Sequence, residues 1–215
     1  MKYNRRITLK KVINKVNNIV FYTILNKLIK VYINITYPIL FKLKKNEFLY
    51  KKSKDNNVIV SLTSIPSRID SVHYVIKSLL IQSYRPDKVI LWLSREDFEE
   101  GSKLPDELLD LQKTDFEIKW CENIKPHKKY FYTMKENPNS IIITVDDDGF
   151  YRRHLVKDLM KSYSKYPKAI SCTRAHRMVF KNKELLPYSK WEYEVKKIYT
   201  PSKLIFPTGV GGVLY

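Results

Sequence analysis

Asp146, Asp147 and Asp148 follow one another directly behind Ile141-Ile142-Ile143-Thr144-Val145. Three adjacent carboxylates repel one another and a divalent cation relieves that repulsion, so metal-assisted chemistry is the first expectation. A solvated acidic turn behind a core strand is the competing one. Basic side chains stand ready elsewhere: Arg68 in Thr63-Ser64-Ile65-Pro66-Ser67-Arg68, and Lys128 and Lys129 in Pro126-His127-Lys128-Lys129. A diphosphate needs its charge neutralised. A divalent cation held by one or two carboxylates, helped by such basic groups, does that.

These groups work together only if the chain brings them together. Ile141–Val145 is β-branched throughout, the pattern of a strand buried on both faces. Val58–Thr63 reads as a first strand ended by Pro66, with Ser67 or Asp70 capping a helix built on Val72, Val75, Ile76, Leu79 and Leu80. Arg85-Pro86-Asp87 is a turn and Lys88–Ser94 a second strand, so the first 35 or so residues of the domain form a βαβ unit and imply a parallel sheet. A short helix from Pro105 to Leu111, a strand over Phe116–Cys121 and a helix over Lys128–Lys135 follow. Leu155–Tyr166 is a further helix, Ala169–Thr173 and Arg177–Phe180 are short strands, and the glycine-rich run Gly209–Tyr215 leads into a last strand. In an open parallel sheet the ligand crevice lies beyond the carboxyl ends of the strands. Thr63–Arg68, Ser94 and Asp146–Asp148 all occupy such ends.

The chain has 215 residues and a formal charge of +18, with the excess concentrated at one end. Residues 1–54 hold fourteen Lys/Arg against the single acid Glu47, a net of +13, which leaves about +5 for the rest. Residues 7–45 repeat apolar positions at helical spacing, among them Val12, Val16, Ile19, Ile24 and Leu28. Their uncharged runs fall short of the roughly 18–20 residues a spanning helix needs. Residues 1–57 therefore read as a basic amphipathic helical arm and linker, and 58–215 as the folded domain. The arm either lies on an anionic membrane surface or packs on the domain or a partner subunit. Nucleic acid is not favoured, since no nucleic-acid motif accompanies the charge. No signal peptide is recognisable, and Cys121 and Cys172 show no metal-knuckle spacing; both read as reduced, structural thiols in a cytoplasmic protein at the inner face of the membrane.

Taken in order, Thr63–Arg68, Ser83-Tyr84-Arg85-Pro86-Asp87-Lys88, Ile143–Asp148 and Gly209–Tyr215 resemble GT-A-fold glycosyltransferases, nearest to the bacterial family-2-like enzymes of capsule and other surface polysaccharides. The resemblance covers about Val58 to Tyr215. It implies an α/β fold with a Rossmann-type nucleotide-sugar-binding sheet flanked by helices, and transfer of a sugar from a nucleotide-diphosphate donor to a glycan or lipid-linked acceptor. It further implies that Asp146 and Asp148 act as the DXD pair on Mn2+ or Mg2+. Thr63, Pro66, Arg68, Lys128, Asp146 and Asp147 would line the nucleotide pocket, and Gly211 and Gly212 would be the backbone beside the donor sugar. Arg174, His176 and Arg177 are further candidates for the same cleft. Gly149-Phe150-Tyr151-Arg152-Arg153 stands where relatives commonly carry an apolar residue and a nearby proline. The acidic general base of inverting relatives lies in the second half of the fold, which places it beyond Tyr215 and makes this chain resemble a truncated enzyme.

Two alternatives use the same residues. A catalytically inactive remnant would still bind nucleotide or membrane. Val145-Asp146-Asp147-Asp148-Gly149 also satisfies the Asp-x-Asp-Gly pattern of haloacid-dehalogenase-like phosphatases, although that fold places the motif at its first strand.

Overall fold

The computed structural model describes residues 21–37, 39–40, 57–98 and 103–215. The expectations for residues 1–20, 38 and 41–56 lie outside these. Residues 21–37 and 39–40 are helical (α1). Ten strands follow: β1 (Val58–Thr63), β2 (Lys88–Ser94), β3 (Phe116–Cys121), β4 (Ile141–Thr144), β5 (Ser171–Cys172), β6 (Ala175–Arg177), β7 (Phe180–Lys181), β8 (Glu184–Leu185), β9 (Ile205–Pro207) and β10 (Val213–Leu214). The remaining helices are α2 (Ile69–Leu80), α3 (Asp106–Leu109), α4 (Lys128–Glu136) and α5 (Leu155–Lys165).

The central sheet runs β3-β2-β1-β4-β10-β5, with β1 to β4 parallel and β10 antiparallel to both β4 and β5. The fold is thus mixed α/β, with a mostly parallel sheet between helices. Burial on both faces explains the unbroken apolar strands. Val60, Leu62, Val89, Leu91 and Ile143 point to the layer that holds α2 and α5. Ile59, Ile90, Trp92 and Ile142, one residue out of step, point to Tyr132 and Met134 of α4. Helices on opposite faces follow from the winding. The chain leaves β1 through α2 to reach β2 on one side, and returns through α4 to β4 on the other. The direction reverses between β1 and β4, which is where such sheets open a crevice.

A buried polar knot fixes α4 to the sheet. Trp92 Nε1 donates to Thr133 Oγ1 at 2.6 Å, and Thr133 Oγ1 donates to Lys129 O at 2.9 Å. Ser61 Oγ lies 2.6 Å from Lys129 O and 2.7 Å from Thr133 Oγ1. Thr133→Val keeps the shape but leaves the Trp92 N–H buried without an acceptor. The expected cost is about 1–3 kcal/mol in urea unfolding, with Thr133→Ser close to wild type.

Two expectations are corrected. Neither Ser67 nor Asp70 caps α2: its N-cap is Arg68, with no side-chain capping bond, because a 3-10 turn over Pro66–Arg68 delivers the chain into the helix. The strand expected over Arg177–Phe180 is divided: Arg177 ends β6, which pairs with β9 (Ala175↔Pro207, Arg177↔Ile205), and Phe180 begins β7. The parallel sheet expected from the βαβ unit is present, and β10 joins it antiparallel. Cys121 and Cys172 are free thiols, as expected, and burial pushes both upward in pKa.

Candidate functional site

A cleft of about 430 Å³ opens at the carboxyl ends of β1, β2 and β4. Thr63, Ser64, Ile65 and Arg68 line it from the β1 side, Asp97 from beyond β2, and Asp146–Asp148 from beyond β4. Asn123, Lys125, Pro126, Lys128 and Lys129 close it from the start of α4. The two segments at the switch point therefore share one cavity.

The three aspartates are not equivalent. Asp147 is only 5% exposed; Ser64 Oγ donates to its Oδ2 at 2.6 Å, and Arg68 Nη1 lies 3.1 Å from its Oδ1. It ties the loop after β4 to the loop after β1. Asp146 and Asp148 are 32% and 52% exposed and face the cleft. Arg68 Nη1 pairs with Asp148 Oδ2 at 2.7 Å, while Lys129 Nζ pairs with Asp146 Oδ1 and lies 3.2 Å from Val145 O. The two carboxylates best placed for a metal are each held by a cation supplied by the chain itself. Arg68 Nε is buried with no hydrogen-bond partner among the described residues.

Tyr151 accounts for the unusual loop behind the aspartates. Its buried hydroxyl accepts from the Asp146 N–H at 2.8 Å and donates to Asp146 O at 3.2 Å, which pins the first aspartate from behind. Burial pushes the phenol well above its usual pKa, so it keeps its proton across the neutral range. The loop is also fastened to the end of α2: Gln82 Nε2 donates to Arg152 O at 2.9 Å and Gln82 Oε1 accepts from Val156 N–H at 3.1 Å. Tyr151→Phe is expected to cost about 1 kcal/mol and to speed hydrogen exchange at the Asp146 amide, read by NMR.

At the β2 end, Ser94 Oγ accepts from the N–H groups of Glu96 and Asp97 and so sets the turn that presents Asp97. Asp97 accepts from Asn123 Nδ2 at 2.8 Å and from Lys128 Nζ at 3.0 Å. Lys128, 2% exposed, thus borders the cleft with its ammonium committed to Asp97.

Among the residues singled out from sequence, Thr63, Arg68, Lys128, Asp146, Asp147 and Asp148 line this cleft. Pro66 begins the 3-10 turn that ends at Arg68. Gly211 and Gly212 are placed differently. A Cβ on Gly211 would come 2.7 Å from Thr173 Oγ1 and 2.8 Å from Arg174 Cβ, and one on Gly212, whose φ is +85°, would meet Leu155 at 3.2 Å. The glycine beside the aspartates is Gly209, where a Cβ would lie 3.0 Å from both Asp146 carboxylate oxygens and 3.3 Å from Lys129 Nζ. Arg174, His176 and Arg177 are outside the cleft lining. Arg174 joins Thr208 Oγ1 (3.0 Å) to Glu194 (2.6 Å), whose carboxyl it holds below the usual range; Arg177 pairs with Glu192; buried His176 accepts from the Glu194 N–H.

Asp97, Asn123 and Gly209 were not anticipated. The Ser94-x-x-Asp97 spacing was the only local signal, that of a side-chain cap on a turn.

No group of three or more His, Cys, Asp or Glu side chains converges to hold a metal among the described residues. Two carboxylates are nevertheless the usual protein share for Mg2+ beside a diphosphate, since phosphate and water supply the other ligands. The charge count agrees. Arg68, Lys125, Lys128 and Lys129 balance Asp97, Asp146, Asp147 and Asp148, so the cleft is formally neutral and a diphosphate entering alone would leave it strongly negative. A divalent cation entering with it restores the balance. The donor set fits such an ion.

No protein-family model and no curated protein matches the sequence. Among solved structures the chain is similar to the mannosyltransferase PcManGT from Pyrobaculum calidifontis in complex with GDP-Man and Mn2+, at 14% identity and a TM-score of 0.38, over 68% of this chain and 47% of that one. It is similar to a CMP:2-keto-3-deoxy-manno-octonic acid synthetase complexed with CTP at 11% identity and a TM-score of 0.42, over 74% and 72% of the two chains. It is also similar to the inositol-1-phosphate CTP transferase from T. maritima, at 14% identity and 0.37, over 77% and 70%. The chain spans about half the length of the mannosyltransferase, and the likenesses are of chain path alone.

Proposed function

We propose that this chain binds the nucleoside-diphosphate sugar donor of a metal-dependent glycosyl transfer, in which the sugar moves to a hydroxyl of a glycan or lipid-linked acceptor in cell-surface polysaccharide synthesis. The observation that supports this reading most is the formally neutral cleft at the β1/β4 switch point, in which the carboxylates of Asp146 and Asp148 pair with Lys129 and Arg68. Mn2+ or Mg2+ bound by Asp146 and Asp148 would supply the positive charge that stabilises the departing diphosphate.

The chain's own residues have separate tasks. Arg68 and Lys129 hold the carboxylates and are the cations at hand for phosphate oxygens. Asp147 keeps the two loops in register through Ser64 and Arg68. Asp97, Asn123 and Lys128 present acceptors and donors side by side, the mixture that the edge of a heterocyclic base requires. Thr63, whose hydroxyl donates to Trp92 O at 2.8 Å, forms the floor between them. Gly209 leaves room beside Asp146, which makes it our choice for the backbone nearest the donor sugar, ahead of Gly211 and Gly212.

The same cleft serves an inactive nucleotide-binding remnant equally well, and turnover separates the two. The phosphatase reading is disfavoured by position, because Asp146 follows the fourth strand of the domain and not its first.

A panel of nucleoside diphosphates and their sugars, run as thermal unfolding with and without Mn2+, tests the proposal. One nucleotide class should raise Tm, and raise it more with Mn2+ present. If none shifts Tm with or without the ion, the donor-binding reading is wrong. Stabilisation without sugar transfer would assign the remnant.

A further inference from the structure

We infer that the outward face of α1 is a docking surface for an anionic lipid bilayer, on which the helix lies in the interfacial plane. Two apolar faces run along α1. One is used internally: Ile33 is 4% exposed, Tyr37 packs on the core and burial pushes its phenol up to about 12. Lys77 of α2 reaches Asn34 Oδ1 at 3.4 Å and lies over the Tyr37 ring at 5.6 Å, while Lys30 lies 5.2 Å from the centre of the Tyr74 ring. These contacts seat the helix on α2.

The second face has no such partner among the described residues. Phe21, Ile24, Leu28, Val31, Ile35 and Ile39 are each 53–62% exposed. From Phe21 to Ile35 their spacing of three, four, three and four residues, at about 100° per residue, keeps them on one stripe opposite Ile33 and Tyr37. No charged residue interrupts the stripe, and Lys27 and Lys30 fall to one side of it. From Phe21 to Ile35 it measures roughly 22 Å. A continuous apolar stripe of that length on a chain in water marks a contact surface.

Charge selects the occupant. Residues 1–54 carry a net of +13, so pairing the stripe with a second copy would bring two such arms together against their mutual repulsion. An anionic bilayer offers the complementary sign, and its interface accepts aliphatic and aromatic side chains while basic groups stay at headgroup level. Among the described residues no helix is long and apolar enough to cross a membrane. The surface lies apart from the cleft, and its test uses no nucleotide, so either reading can fail alone.

The experiment is co-sedimentation of the full chain with vesicles of phosphatidylcholine alone or mixed with phosphatidylglycerol, for wild type and for Leu28→Glu/Ile35→Glu. Both substituted positions are exposed, so thermal unfolding should be unchanged. Wild type should bind the phosphatidylglycerol vesicles, more weakly at high salt, and the double variant at least tenfold less. A Tyr32→Trp variant on the same exposed side should shift its emission to the blue on those vesicles and be quenched by brominated lipid. Absence of vesicle binding, or binding that the double variant retains, overturns the inference. So does a dimer in sedimentation velocity that the double variant dissociates while wild type ignores vesicles, which would give the stripe to a second copy.

Discussion

Asp148→Asn removes most of the Mn2+-dependent affinity for a nucleoside diphosphate while leaving the fold intact. The side chain is 52% exposed, and its ion pair is with Arg68 at 2.7 Å. Asparagine preserves the shape and one acceptor oxygen but not the charge. An amide is a poor ligand for a small, hard cation, and loss of groups that merely support a metal ligand already costs about tenfold to a hundredfold in affinity. A loss of at least that order is therefore expected in calorimetric titrations at fixed Mn2+. Fold stability should change by no more than about 0.5 kcal/mol, as for surface substitutions generally. Unchanged Mn2+-dependent affinity in a folded variant would count against Asp148 as a ligand.

The second large effect separates two glycines two residues apart. At Gly211 an added methyl meets Thr173 Oγ1 at 2.7 Å, Arg174 Cβ at 2.8 Å and the Arg174 backbone nitrogen at 3.0 Å, distances that demand movement of the main chain. Gly211→Ala is expected to destabilise the domain by about 1–3 kcal/mol, the range of overpacked sites, and to lower Tm by several degrees. At Gly209 the methyl meets side-chain oxygens and an ammonium group, which can yield. Gly209→Ala should keep Tm near that of wild type while displacing Asp146 and Lys129, and so weaken Mn2+-dependent nucleotide binding several-fold. Equal losses of stability at both positions would remove Gly209 from the site.

These glycines show where the sequence stops being readable. Three lie within four residues, and glycine content alone announces a close approach of backbone to something. Which glycine faces Asp146 and which faces Thr173 depends on the 3-10 turn Gly209–Gly211 and on the entry of β10 between β4 and β5. A two-residue strand has too short a pattern to reveal its direction, so Val213 and Leu214 announce a last strand without showing which way it runs. The long elements were legible for the opposite reason. Val58–Thr63, Lys88–Ser94, Phe116–Cys121 and Ile141–Thr144 combine β-branched or aromatic runs with turn residues at their ends, and parallel order follows from the helices between them.

The cleft was legible to the same degree. Strand ends predicted its location, because ligand crevices in such sheets follow from topology and not from any one residue. The pairing inside it was not. Lys128 looks like a phosphate ligand in sequence, whereas Asp97, thirty-one positions earlier, takes its ammonium. Asp147 looks like the middle of a uniform acidic run, whereas burial against Ser64 gives it a structural task and leaves its neighbours to face the cavity. Long-range pairs of this kind carry no periodic signal.

Paramagnetic line broadening by Mn2+ in the presence of a bound nucleoside diphosphate tests the shared cation and diphosphate site most directly. Assigned amides of Ser64–Arg68 and of Asp146–Asp148 should broaden together, at sub-stoichiometric Mn2+, and recover when Asp148 is replaced by asparagine. Broadening of only one of these segments, or of neither while nucleotide is bound, would contradict the account.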